Sequence, residues 1–205
     1  MRKFDELNIL KQYPRIDFNE YFRVLNIPEE DKEKRVEMAE EITEVYDWLF
    51  ALVALMVATQ QVIDTEYLIV SVETRLRDIM DVNVRYVSEH IVRVANETVE
   101  TTVNRRDEAY YISEQRASEI AADESHTFFN YAELQEAYEN GATYKVWHTR
   151  RDKRVRETHT ELEGVKIPIE DLFQVGDYEM MVPKDSEHGA GLEEISGCRC
   201  WATFS

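Results

Sequence analysis

Cysteine, proline and glycine are scarce in this 205-residue chain, which has 2 Cys, 4 Pro and 6 Gly. Together with 43% hydrophobic and 11% aromatic residues, this scarcity is typical of a folded, helix-rich protein and argues against a disordered tail. A chain of this length can bury a substantial core in one large domain or in two small ones.

Basic residues are also few, because 24 Lys and Arg stand against 42 Asp and Glu and leave a net charge of -18. Such a surface repels phosphate backbones and anionic lipid head groups. Broad nucleic-acid binding is therefore disfavoured.

The chain lacks a long hydrophobic run. Its strongest run, Trp48–Ala58, has 11 residues, against the roughly 20 that a membrane-spanning helix needs. It predicts a buried helix without membrane contact, and an oligomer or partner interface through Trp48, Leu52 and Leu55 is the alternative.

The first residues contain no apolar signal core, so no secretion signal is expected.

The two cysteines, Cys198 and Cys200, are separated by one residue, which makes a disulfide between them strained and favours a reduced folding environment. With His159, and with His188 or Asp152, the two thiolates have the ligand chemistry of a tetrahedral zinc site. Zinc sites usually begin with a C-x2-C pair or a longer spacing. Two small buried thiols without a cofactor are therefore the preferred interpretation, and zinc is the alternative.

Helical patterns occupy the first two thirds of the chain. Pro28 and the acids after it predict the start of a long helix that extends to about Ile63. Apolar residues then recur at steps of three and four: Ile69, Val72, Leu76, Ile79, Val87, Ile91 and Val94. Asn83 occupies the same stripe and is interpreted as a polar residue that fixes helix register. After an interruption at residues 101–104 the pattern resumes.

Asn140-Gly141 supplies a helix stop, and the pattern changes beyond it. Short β-prone segments at 144–148, 165–167, 178–182 and 201–204 are separated by Gly, Pro and charged turns. The predicted fold class is α+β, with a mainly α-helical N-terminal region of long helices and a small α+β C-terminal module with a short antiparallel sheet. We expect a helical region at 1–140 and the module at 141–205.

One charged cluster in the module has helical spacing. Asp152, Arg156 and His159 lie at i, i+4 and i+7, so a helix starting near Asp152 would bring the three side chains to one face. Acid/base catalysis is the functional interpretation. A polar network that holds a small domain together is preferred, because no nucleophile elbow or phosphate loop accompanies the cluster.

The same stretch is basic. Between residues 145 and 156, six basic residues accompany the single acid Asp152: Lys145, Arg150, Arg151, Lys153, Arg154 and Arg156. In a chain this acidic, such a strip favours pairing with the chain's own acidic helices or with an acidic partner, and DNA contact is the minor alternative.

Several short motifs follow one another in a recognisable order. They begin with Arg116-Ala117, Ile120-Ala121 and Glu124, continue through Lys145, Trp147, Asp152, Arg154, Arg156, His159, Gly164, Phe173, Met181, Pro183, Asp185 and Ala190, and close on Cys198-Arg199-Cys200. In this order they resemble the phage Mu protein F-like minor head protein family, also called the phage head morphogenesis domain. The resemblance covers roughly the last 90 residues. Gly197 departs from the Asn that usually precedes the family's CRC ending, which puts a polar role at this position in doubt.

The resemblance implies a structural virion component rather than an enzyme, present in few copies and located in the capsid interior or at the portal vertex. Its implied partners are the portal protein and other head proteins, with assembly in the host cytoplasm and, in some relatives, delivery with the DNA. The implied structural signature of the module is Trp147, Asp152, Arg154, Arg156, His159, Gly164, Pro183, Cys198, Arg199 and Cys200.

Two other functions stay open at this point. One is a metal-dependent or ADP-ribosyl-transferring enzyme that uses Asp152, Arg156 and His159. The other is a helical assembly adaptor that acts through the Trp48–Ala58 helix.

Overall fold

The computed structural model describes residues 13–25, 27–80 and 85–205, and the side chains of the last range from residue 87 onward. The fold class is α+β, as the sequence predicts, with long helices in the N-terminal region and short antiparallel strands near the C-terminus. Asn83 and residues 1–12 lie outside the described residues, so the interpretation of Asn83 stays a prediction.

In the described part of the chain, six helical segments precede the strands. They are α1 (Phe18–Arg23), α2 (Glu29–Ala58), α3 (Thr65–Ile79), α4 (Arg85–Asn104), a 3-10 helix (Ala109–Ile112) and α5 (Glu114–Glu139). Helix α2 begins directly after Pro28, as predicted, and ends before the expected Ile63 because Gln60 adopts a positive φ of 56°. Asp64 then caps α3 by accepting a hydrogen bond from the Tyr67 amide at 3.0 Å.

The apolar run Trp48–Ala58 forms the last part of α2 and is buried on one side only. Leu49, Phe50 and Val53 are buried, whereas Leu55 is 58% exposed. The prediction of a buried helix is therefore correct for one face of the run. Among the described residues, no helix is both long and apolar enough to cross a membrane.

Residue contacts divide the described chain into two compact units. The first comprises the described residues up to Phe22 and the range Glu33–Ala122, and the second comprises Arg23–Lys32 and Asp123–Ser205. The division falls within α5, earlier than Gly141, where helix gives way to strand. The domain boundary expected at residue 141 stays a prediction.

The core of the first unit includes the apolar faces of α3 and α4. Val72, Leu76, Ile91 and Val94 are buried as the stripe predicts, and Leu68 joins them. The stripe is shared between two helices, because α3 ends at Ile79 and α4 begins at Arg85.

The second unit contains the five strands found among the described residues, β1 (Tyr144–His148), β2 (Lys166–Pro168), β3 (Phe173–Val175), β4 (Tyr178–Met180) and β5 (Trp201–Phe204). β1 is the centre of an antiparallel sheet of order β2-β1-β5, and β3 and β4 form a separate two-stranded antiparallel sheet. The predicted segments 144–148 and 201–204 coincide with β1 and β5. The predicted segments 165–167 and 178–182 overlap β2 and β4, whereas β3 was not predicted.

The core of the second unit surrounds Trp147, whose side chain is fully buried, as expected of it. Two one-turn helices, α6 (Glu157–Thr160) and α7 (Leu192–Ile195), frame this core. Its other buried members are Leu162, Phe173, Val175, Met180, Ala190, Ile195, Cys198 and Cys200.

Candidate functional site

A cluster of three buried donor groups lies beside Trp147 in the second unit. The Nδ1 atom of His159 is 3.4 Å from the Sγ atom of Cys200 and 3.5 Å from that of Cys198. These three atoms all lie within 4.8 Å of one another. His159, Cys198 and Cys200 are 1%, 2% and 3% exposed, so the cluster is closed to solvent.

Local backbone geometry brings the three residues together. Arg156 is extended, with φ -63° and ψ 152°, and α6 begins only after it, so that His159 points into the core from a single helical turn. Gly197 has a φ of 60°, which turns the chain between α7 and Cys198. Because Gly and Asn tolerate this left-handed region best, Gly197 meets a backbone requirement that Asn would also meet.

Glu194 fixes the orientation of the His159 ring. Its Oε2 atom lies 2.9 Å from Nε2 of His159, and the hydroxyl of Thr158 donates to the same oxygen at 3.0 Å. A carboxylate acceptor favours a proton on Nε2, and in the neutral imidazole this leaves the lone pair of Nδ1 directed at the two sulfur atoms.

The two thiols shift each other's pKa in opposite directions. The Cys200 thiol donates a hydrogen bond to Cys198, which holds the pKa of Cys198 well below its ordinary value, although burial opposes this. The same hydrogen bond raises the pKa of Cys200 above its ordinary value, and burial adds to the rise. Both cysteines are free rather than joined in a disulfide.

Aromatic rings enclose the cluster. The Trp147 and His159 rings are in edge-to-face contact at 5.4 Å between centroids, and the Trp147 and Phe173 rings are in edge-to-face contact at 5.2 Å. The donors therefore lie in an apolar, low-dielectric environment, in which a net charge would be costly.

The helix predicted to start near Asp152 is not present, and this expectation is wrong. Residues 152–155 form turns, because Arg151 has a positive φ of 51° and Asp152 accepts a hydrogen bond from the Arg154 amide at 2.9 Å. The side chains of Asp152, Arg156 and His159 consequently reach different partners.

Each of these partners is on the C-terminal segment. Asp152 forms a bidentate pair with Arg199, at 2.8 Å for both contacts, and this hydrogen bonding lowers the pKa of its carboxyl. The guanidinium of Arg156 donates to the Ser196 carbonyl at 2.6 Å. The cluster on which the enzyme alternative depends is therefore not assembled.

Other residues of the predicted signature have local backbone roles or lie at the surface. Gly164 has a φ of 77°, and its amide donates to the Trp147 carbonyl at 2.8 Å, which closes the segment between β1 and β2. The Pro183 carbonyl accepts from the Asn130 side chain at 2.9 Å. Arg154 is exposed.

The sequence analysis missed a second polar network around Asp185. This fully buried carboxylate accepts hydrogen bonds from the Tyr131 hydroxyl at 2.7 Å, the Met181 amide at 2.6 Å, the Glu187 amide at 2.8 Å and the His188 ring at 2.5 Å. Asp185 belongs to the motif order, but nothing in its spacing identifies these four donors. Because His188 binds Asp185, it is not part of the cysteine cluster.

Lys145 was predicted as part of a basic strip, and the structure buries it instead. Its Nζ atom donates to the Met181 carbonyl at 2.7 Å, and its side chain has no exposed surface. Burial lowers the pKa of Lys145 from 10.5 to about 8, although Asp185 and Asp171 oppose the shift. Arg151 pairs with Glu163 at 2.9 Å, so the strip is not a continuous free basic surface.

Comparisons with known proteins supply a family. Searches of the curated proteins and of the solved structures found no match to the chain. The model of the family described as Phage Mu protein F like protein matches residues 70–203, which extends the similarity further toward the N-terminus than the motifs alone indicate. Since this match covers most of α3, the whole of α4 and α5 and nearly all of the second unit, the chain belongs to the phage Mu protein F-like family, the phage head morphogenesis domain family.

Proposed function

We propose that the protein is a minor head protein, a structural component present in few copies per virion that binds the portal and other head proteins. The observation that carries this proposal is the family match over residues 70–203, since the family is one of phage head proteins. Location in the capsid interior or at the portal vertex, and delivery with the DNA, belong to the same proposal.

The arrangement of the signature residues supports a structural role for the module. Trp147, His159, Cys198 and Cys200 are buried, and Asp152 binds Arg199. Side chains that face the core and one another stabilise a fold, whereas catalysis requires a group within reach of a bound substrate. The signature therefore serves to hold the module together.

The first unit supplies the surface through which the protein would bind its partners. The predicted contact residues of α2 differ in exposure. Trp48 and Leu52 are half-buried, whereas Leu55 is 58% exposed. The Arg75 guanidinium lies 4.2 Å from the centroid of the Trp48 ring. Further exposed apolar side chains follow at Val62, Tyr67 and Val70. These side chains are the ones that a partner would contact on this unit, and a helical adaptor role would use the same side chains.

Isolation of heads after co-expression with the other head genes tests the proposal. We expect the protein in procapsids at far fewer copies than the major capsid protein, measured by quantitative mass spectrometry. A chain that remains a free monomer and is absent from the particles contradicts the proposal.

A substitution in the first unit tests the surface separately. Leu55→Asp places a charge on an exposed apolar position and should reduce the amount of protein in particles without unfolding it. Val92→Asp is the matched control, because Val92 is an exposed apolar residue (39%) of α4. Equal incorporation of both variants, with circular dichroism unchanged, would exclude Leu55 from the partner surface.

A further inference from the structure

The donors at the cluster beside Trp147 converge on one point. In the orientation that Glu194 imposes on the His159 ring, the single lone pair of Nδ1 faces two sulfur atoms at similar distances, 3.4 and 3.5 Å. One lone pair can accept a proton from only one thiol. A cation between the three atoms would satisfy all of them at once.

The distances agree with tetrahedral coordination of zinc. Zn–S bonds of about 2.3 Å and Zn–N bonds of about 2.0–2.1 Å at the tetrahedral angle separate the N and S ligand atoms by about 3.6 Å. The two N to S distances in the cluster are within about 0.2 Å of that value. Little movement of the side chains is therefore needed to receive the ion.

Glu194 provides a second, independent indication. Metal-binding histidines usually donate their other ring nitrogen to a carboxylate, which fixes the tautomer and the ring orientation. His159 has this arrangement, with Nε2 at 2.9 Å from Glu194, and Thr158 holds the carboxylate in turn. The carboxylate that usually orients a metal-binding histidine is thus present beside three donors that can bind a metal ion.

Charge balance also favours an ion. Two thiolates and a neutral imidazole around Zn²⁺ form a neutral group, which the apolar surroundings of Trp147 and Phe173 accept.

We propose that Nδ1 of His159, Sγ of Cys198 and Sγ of Cys200 bind one Zn²⁺ ion, with Glu194 orienting the histidine. The ion joins α6 to the segment that leads into β5. Because the ligands come from positions 159 and 198–200, it stabilises the second unit by linking parts of the chain that are about 40 residues apart.

Metal analysis of the purified protein tests the assignment. We expect about one zinc ion per chain, and after removal by a chelator we expect Zn²⁺ to raise the unfolding temperature and Co²⁺ to produce a thiolate-to-cobalt charge-transfer band. Substoichiometric zinc, together with no cobalt band and an unchanged unfolding temperature on adding Zn²⁺, overturns the proposal.

Substitutions test which residues bind the zinc ion, and one variant that keeps all three ligands is included in case the ligand variants do not fold. Cys198→Ser, Cys200→Ser and His159→Gln should each abolish stoichiometric zinc, and His148→Gln is the control, because His148 of the same unit contacts Thr203 instead. Glu194→Gln leaves all three ligands in place and should weaken zinc affinity about 10- to 100-fold. If the ligand variants do not fold, an unchanged affinity in Glu194→Gln overturns the proposed role of Glu194, and the wild-type titration still decides whether zinc binds.

Discussion

At the scale of single residues, Lys145 shows how burial changes the chemistry of a side chain that the sequence places among basic neighbours. β1 is the central strand of its sheet, and the side chain of Lys145 extends into the core beside Met181 and Phe173. Its ammonium group is 5.2 Å from the Phe173 ring centroid. The contacts with a carbonyl and an aromatic face only partly replace the water that the charged form has lost.

The lowered pKa of Lys145 predicts a pH-dependent stability. Between pH 8 and 10.5 the unfolded chain binds a proton at Lys145 that the folded chain has lost, so the free energy of unfolding rises with pH across this window. Below pH 8 Lys145 is charged in the folded state as well. Its contribution to the free energy of unfolding is least favourable there, because the buried ammonium group has lost its water. We expect Lys145 to contribute a rise of up to about 3 kcal/mol, at 1.36 kcal/mol per pKa unit.

Comparison with Lys145→Met isolates this contribution, because the variant keeps a similar shape without the titrating group. Denaturant unfolding of both proteins between pH 7 and about 10.5 should show the wild type gaining stability relative to the variant. A stability difference that stays constant across the window would mean that Lys145 keeps its ordinary pKa in the folded protein.

At the scale of elements, the end of α5 determines where helix gives way to sheet. Gly141 has a φ of 75°, its amide donates to the Tyr138 carbonyl at 3.1 Å, and the Ala142 amide donates to the Ala137 carbonyl at 2.9 Å. These two bonds form a Schellman motif, which satisfies carbonyls that the helix itself leaves without partners. The chain is thereby directed into β1, which starts three residues later at Tyr144.

Substitution of Gly141 should destabilise this helix end. No atom lies within 4 Å of the position that a Cβ would occupy, so only the backbone conformation is penalised. Gly141→Ala should lower the free energy of unfolding by about 1–2 kcal/mol. Gly141→Asn should lower the free energy of unfolding by less, because Asn adopts the left-handed region more readily than Ala. If urea unfolding gave the same loss of stability for both variants, the left-handed conformation would not be the reason for the glycine.

At the scale of the whole molecule, charge governs which partners the protein can approach. The net charge is -18, and of the six basic residues between 145 and 156, Lys145 is buried and Arg151 and Arg156 bind partners in the protein. Lys153 and Arg154 remain exposed, as does Arg151 beside Glu163. So few exposed cations on a strongly anionic chain provide little counterion release on a DNA backbone.

We therefore expect any contact with packaged DNA to be minor. At about 0.15 M salt, where charges are screened beyond about 8 Å, fluorescence anisotropy with a labelled duplex should detect no binding at micromolar protein. The variant with both Lys153→Ala and Arg154→Ala should behave as the wild type. Micromolar binding that this double variant loses would instead identify the exposed pair as a DNA contact.

Several features could be predicted from the sequence because they depend on neighbouring residues. The start of α2 after Pro28, the stop at Gly141 and the strands β1 and β5 follow from local preferences for turns, caps and alternating side chains. Membership of the phage head family was likewise predictable, because a family is recognised by the order of its motifs along the chain.

The expectations that the structure overturned concern the turns that follow β1 and the burial of Lys145 within β1. A spacing of i, i+4 and i+7 brings Asp152, Arg156 and His159 together only if the segment is helical, and the left-handed Arg151 and the extended Arg156 prevent that. Lys145 was placed in a basic strip because its neighbours are basic, whereas its position in the central strand decides that it is buried.

The sequence by itself determined the α+β class, the helix and strand ends that short-range chemistry specifies, and the family. Only the tertiary structure decided which side chains meet. His159 contacts Glu194, Cys198 and Cys200 across 35 to 41 residues, and Asp185 contacts Tyr131 across 54. Periodicity specifies the face of an element on which a side chain lies, whereas the partner that it contacts depends on how distant elements pack around Trp147.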